Sequence, residues 1–263
     1  MLIASTAILL SSHAGAVEEI RIGGSGAALG SMQLLGAEFS AANPDIRVTI
    51  VPSLGSGGSI KAVLAGAIGL ALTSRALTPS ERQLGAVATE YARTPFVFAV
   101  STKSKVSAIT SGELADIYAG KKVTWADASP VRIVLRPASD VDTEMVRNMS
   151  PAMARALALA QARPGVQFAV NDQDAANDLE RIPGAIGPSS LALIVSEKRA
   201  LRALRLDGRE PTPSNAAAGT YPYYKCLFLV TGSQRAAAVE RFIAFVLSPA
   251  ARAMLSSNGQ WIP

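Results

Sequence analysis

The sequence predicts an α/β fold in which parallel strands and crossover helices form two lobes. Three observations carry this. Short β-type runs alternate with apolar-periodic segments through the first half, the pattern of a parallel sheet with crossover helices. After the apolar run "TPFVFAVST" (94–102) the alternation begins again, as a second lobe would. The run "TYPYYKCLFLV" then offers a strand long enough to cross back. At 263 residues and 49% apolar content, the chain can fill one large core or two smaller ones.

The elements follow in order. "EIRIGG" predicts a strand, and Met32 to Ala42 a helix stopped by Asn43-Pro44. "IRVTIVP" predicts a second strand, Ser59 to Ala65 a second helix ended by Gly66, and "IGLALTS" a third strand. Thr78 can cap a helix after Pro79. In the middle segment, "SGELADIYAG" predicts a helix, "VRIVLRP" a strand, and Thr143 to about Ala160 one helix. Short strands are expected near "GVQFAV", "AIGPSS" and "LRALRLDG". The C-terminal segment predicts two helices split at Ser248-Pro249. Val239, Phe242, Ile243, Val246 and Leu247 recur there at helical spacing as a packing face. The expected division is lobe 1 over 17–95 and 222–263, and lobe 2 over 96–221.

Composition removes several function classes. The net charge is +5, yet Lys and Arg are scattered without runs or aromatic interleaving, so no nucleic-acid partner is expected. The segment 1–16, "MLIASTAILLSSHAGA", is expected to be an export signal, with an apolar run from Leu2 to Leu10 and a small-x-small site at Ala14-Gly15-Ala16. No Lys or Arg precedes that run. Cleavage would remove His13, the sole histidine, and with it His-based metal sites and Ser-His or Cys-His catalysis. The single cysteine, Cys226, cannot form an intramolecular disulfide and is expected to be buried as a small apolar side chain. No cofactor and no metal are expected.

Two glycine-rich junctions carry the functional signal, "GGSGAALG" (Gly23 to Gly30) and "SLGSGGSIK" (Ser53 to Lys61). The first lacks the last glycine of a dinucleotide fingerprint, and no acidic residue ends the second strand. The second has its lysine misplaced for a P-loop. Both junctions sit after neighbouring strands and present helix N-termini, whose free N–H groups and partial positive charge suit an anion. Glycines, Gly57 among them, let the backbone approach, and Ser25, Ser56 and Ser59 add hydroxyl donors. A strand ending at Arg136 adds a forked, permanently charged donor. Asp140, Asp142 and Thr143 fall at the following helix start, where capping by at least one aspartate is expected. Ser74 and Arg75 end the third strand, and Arg75 suits a structural ion pair as well as it suits a ligand.

Together, "GSGAALG", "GSGGSIK", "TSRALT", "LADIYAGKKVTWAD", "GAIGPSS", "TYPYYKCLFLV" and "FVLSPAARAMLSSNGQWIP" resemble the phosphate-binding proteins of bacterial ABC phosphate importers. The resemblance covers about 20 to 263. It implies a two-lobed periplasmic binding protein fold, the type II flytrap, with ligand held between the lobes. It implies backbone contacts from Ala28 and Leu29, hydroxyl and N–H donors from Ser56, and an arginine at Arg136. It also shows departures. Ser74 stands where the family usually has an acceptor aspartate, Ala28 replaces a hydroxyl, and Asp140 to Thr143 replace a neutral turn. The expected ligand-binding set is Ser25, Ala28, Leu29, Ser56, Gly57, Ser74, Arg75, Arg136, Asp140 and Thr143. The implied function is an exported, non-catalytic, monomeric solute-binding protein that takes phosphate or a similar small oxyanion to an ABC permease or membrane sensor. The alternatives are a periplasmic enzyme acting on phosphorylated substrates, and a ligand-free interaction protein of the same fold.

Overall fold

The computed structural model describes residues 17–263; the expected export signal and His13 lie outside them. β1 (Glu18–Gly24) leads into α1 (Gly26–Ala42), β2 (Ile46–Ile50), α2 (Gly55–Leu64), β3 (Leu70–Thr73) and α3 (Pro79–Gln83). The long β4 (Val87–Ser101) is followed by β5 (Ala108–Ile109), α4 (Ser111–Ala119) and β6 (Arg132–Leu135). Next come α5 (Val141–Asn148), α6 (Pro151–Ala162), β7 (Gln167–Phe168), α7 (Asp172–Arg181), β8 (Ala185–Ser190) and α8 (Leu191–Ser196). β9 (Leu201–Ala203), β10 (Arg205–Leu206), α9 (Pro213–Ala217), β11 (Tyr224–Thr231), α10 (Ala237–Val246) and α11 (Pro249–Ser257) complete the order.

One sheet runs β2-β1-β3-β11-β4-β8-β6-β7, with β9 also on β4. β1, β2 and β3 are parallel, as are β6, β7 and β8, and β11 and β4 run antiparallel between the two sets. β4 spans both sets because its first half pairs with β11 and its second half with β8 and β9. The apolar packing divides in the same way. Ile20, Ile22, Met32, Leu72 and Phe242 share one core; Phe96, Phe98, Tyr118, Leu135 and Ile186 share another. Within the first, Phe39 meets Phe242 edge-on at 5.2 Å. Val239, Phe242 and Val246 of the expected packing face are buried, with Ile243 and Leu247 partly so.

Several boundaries differ from expectation, for local reasons. α1 and α2 begin six and four residues earlier than expected, because Gly26-Ala27-Ala28-Leu29 and Gly55-Ser56-Gly57-Gly58 form their first turns. The single helix expected from Thr143 is two, broken where Ser150 caps a new helix with Pro151 in its first turn. α7, α8 and the first half of β4 have no counterpart in the sequence reading. α7 buries only Ala175, Ala176 and Leu179 as apolar side chains, a face too short of large residues to stand out, whereas α8 is only six residues long. Thr78 caps α3 as expected, in a reciprocal box with Glu81.

Candidate functional site

The carboxyl ends of the parallel strands in both halves face one cleft of about 560 Å³. This is where an open α/β sheet presents its loops and helix N-termini. From the first half, β1 delivers Ser25, the first turn of α2 delivers Ser56 and Gly57, and β3 delivers Ser74 and Arg75. From the second, β6 delivers Arg136 and Asp140, α5 delivers Asp142, and β7 leads to Asn171 and Asp172. Lys225 enters from β11, between the halves.

The three serines form one hydroxyl cluster. Ser25 Oγ–H donates to Ser74 Oγ at 3.1 Å, Ser74 N–H donates to Ser56 Oγ at 3.0 Å, and the Ser56 and Ser74 hydroxyls lie 3.3 Å apart. Each is buried at the N-terminal end of α1 or α2, or directly after β3. Neutral donors beside helix N-termini favour an anion without adding a fixed charge.

Opposite them stands a buried charge network. Arg136, 2% exposed, donates to Asp140 Oδ2 at 2.7 Å and to the Ala169 carbonyl at 2.9 Å, with Asp172 Oδ2 at 3.9 Å. Its Nε has no partner among the described residues. Lys225, also 2% exposed, pairs with Asp142 and lies 3.6 Å from Asp172 Oδ1. Burial pushes the Asp142 carboxyl up to about 7; Lys225 and Arg136 pull against it, while Asp172 and Asp140 add to it. For Asp172, burial also disfavours the charge, but Lys225, Arg136 and the Gly26 amide outweigh it and hold the carboxyl below the usual range.

Of the expected site residues, Ser25, Ser56, Gly57, Ser74, Arg75, Arg136 and Asp140 line this cleft. Ala28, Leu29 and Thr143 do not. The Ala28 amide is spent on the Ser25 carbonyl at 3.0 Å, Leu29 lines a different depression, and Thr143 Oγ1 donates to the Arg136 carbonyl at 3.0 Å. Ser59, also expected as a donor, is fully buried and bonds the Ser56 and Leu72 carbonyls. Arg75 is held in a fork by Glu81, at 2.8 and 2.7 Å, and Glu81 is drawn down to about 2 by that pair. Asp140 caps α5 through the Asp142 amide at 2.9 Å while also holding Arg136. Cys226 is half-buried beside Glu90 and Arg93, not sunk in a core; burial and Glu90 push its thiol up to about 11.

Sequence reasoning missed Lys225 and Asp172. A lone lysine inside the apolar run "YYKCLFLV" was a usable signal, because a charge buried in a strand needs partners. Asp172 gave none. It sits in "NDQDAANDLER", where each acid reads equally well as a helix-start residue.

Relatives of known name share this plan. The phosphate-binding protein PstS of Bacillus subtilis (strain 168) is 24% identical over 234 residues, covering 86% of this chain and 74% of that protein. A Clostridium perfringens protein, described as a phosphate ABC transporter substrate-binding protein with bound phosphate, superposes with a TM-score of 0.79. It is 21% identical, over 94% of this chain and all of that one. The periplasmic molybdate-binding protein of Azotobacter vinelandii gives a TM-score of 0.67 at 16% identity, over 93% and 99% of the two chains. Two parallel sets of strands joined through β4 and β11, and a cleft at their facing ends, are thus the two-lobed fold of periplasmic binding proteins. The PBP superfamily domain matches residues 11–250, and the chain belongs to that superfamily.

Proposed function

We propose that this protein is an exported, monomeric solute-binding protein that captures phosphate or a related small oxyanion between its lobes. It would present the ligand to an ABC permease or a membrane sensor. The observation that carries this reading is the pairing of the Ser25–Ser56–Ser74 hydroxyl cluster with buried Arg136 in a single cleft. Hydroxyls beside helix N-termini and a forked guanidinium lining the same cleft are complementary to a tetrahedral oxyanion. Lobe 1 is taken as 17–95 with 222–263, and lobe 2 as 96–221; the two apolar cores support this division. Capture and release, not catalysis, is the assigned role. The serine hydroxyls bond one another, and no histidine lies among the described residues to act as their base.

Calorimetric titration of refolded, anion-free protein with phosphate, arsenate, sulfate, phosphonates and organic acids tests the reading. One equivalent of an inorganic oxyanion should bind, and Arg136→Ala should abolish that binding. Heat from none of the oxyanions would overturn it.

A further inference from the structure

The N-terminus of α1 already holds an anion. Asp172 Oδ2, from α7 in the opposite half, accepts the Gly26 N–H at 2.9 Å. The next residue, Gln173, donates its Nε2–H to the Gly26 carbonyl at 3.2 Å and to Glu197 Oε1 at 2.8 Å. Both backbone polar groups of Gly26 are therefore taken by consecutive side chains from across the cleft. The fit depends on the glycine, because a Cβ there would come within 2.7 Å of Asp172 Oδ2 and still closer to Gln173 Oε1. Asp172 is 8% exposed, and it is flanked by Lys225 at 3.6 Å and Arg136 at 3.9 Å.

We propose that Asp172 is a specificity-determining residue of the cleft. Its carboxylate is an anion built into the chain, seated on the α1 N-terminus, where it bridges the lobes and keeps a ligand oxyanion from that end. The physical reason is exclusion. The first N–H of a helix and its partial charge of about half a unit serve one anion. A second anion beside it would meet like-charge repulsion that the partly buried cleft does little to screen. The ligand is left the α2 end of the cleft, with Ser56, Ser74 and Arg136. Asp172 also draws on Lys225 and Arg136, so it takes part of the positive field that a ligand would otherwise use. The same contact makes the lobes close on the protein's own carboxylate.

This inference rests on the oxyanion reading for its ligand, and two readouts keep the two apart. The first is the radius of gyration of anion-free protein from solution X-ray scattering, for wild type, Asp172→Ala and Gly26→Ala. Wild type should be compact and both variants more expanded. Gly26→Ala breaks the contact from the other lobe while keeping every charge, so it decides the matter if Asp172→Ala folds poorly. The second is phosphate affinity by calorimetry, which should rise on the order of tenfold in Asp172→Ala. Unchanged radii in the variants, or phosphate affinity in Asp172→Ala no higher than in wild type, would overturn the proposal. If neither protein binds phosphate, the oxyanion reading fails, and the scattering alone decides whether Asp172 bridges the lobes.

Discussion

Asp142 and Lys225 are both fully buried, and a charge so placed survives only with partners in reach. Burial first, and the excess of three aspartates over two cations second, push the Asp142 carboxyl up to about 7. Its folded value lies above the unfolded value of about 4, so between those pH values the native state holds more proton than the unfolded chain. Stability due to this group must therefore fall as pH rises through that window. Asp172 and Glu81, whose carboxyls are held low, lose their contribution only at more acidic pH and do not mask the effect. Urea denaturation at pH 5 and pH 8 should show wild type losing on the order of 1 kcal/mol or more relative to Asp142→Asn. Equal slopes in the two proteins would show that Asp142 does not titrate there. The arginines differ in the same physical sense. Arg136 is buried at the floor of the cleft among Asp140, Asp172 and the Ala169 carbonyl, whereas Arg75 is half-exposed and held in a fork by Glu81. Arg75→Ala should keep oxyanion affinity within about tenfold of wild type while Arg136→Ala loses it; comparable losses in folded variants would reverse that ranking.

At the scale of elements, helix starts decide what the cleft contains. α1 and α2 begin inside the glycine-rich stretches, so those residues are helical first turns; Ser25 reaches the cleft as the α1 cap and Ser56 from the first turn of α2, with Ser74 following β3. A helix with a strong cap needs no such context. α4 starts with Thr110 and Glu113 in a reciprocal box and ends on Gly120 at φ +77°. Thr110→Ala should cost about 1 kcal/mol, read as a lower urea midpoint at unchanged slope. It should leave oxyanion affinity unchanged, since Thr110 does not line the cleft. A loss of affinity would tie α4 to the site, which the contacts do not. Strand β1 makes the opposite demand: Gly24 lies so close to the Leu72 carbonyl that a Cβ would collide with it. Gly24→Ala should therefore weaken the β1–β3 pairing and the placement of Ser25 together, measured as joint losses of thermal stability and affinity.

For the whole molecule, the two sets of parallel strands are joined through a pair of strands, β11 against β3 on one side and β4 against β8 on the other. A ligand held by Ser56 and Ser74 on one side and Arg136 on the other must stabilise both halves at once. At a hundredfold excess over its dissociation constant, it should add about 2.7 kcal/mol to stability. Amide hydrogen exchange on adding phosphate should slow in β1–β3 and in β6–β8 together. Protection confined to one set would mean a ligand bound to one lobe, and would sink capture between the two.

The α/β class, most of the strands, the C-terminal helix pair and the glycine-serine junctions as anion-suited ends were legible in the residues alone. These follow from periodicity and local caps, which act over a few residues and are written in adjacent positions. Ser25, Ser56, Ser74 and Arg136 could be read for the same reason, each ending a strand or opening a helix. Only the tertiary structure decided the rest. Which carboxylate reaches Gly26, and which acids surround Lys225, are settled between residues far apart in the chain. Asp172 and Gly26 are separated by 146 positions, and Lys225 meets Asp142 across the cleft. A charge shows its type in the sequence, but its partner is chosen by the strand order that brings two loop ends together.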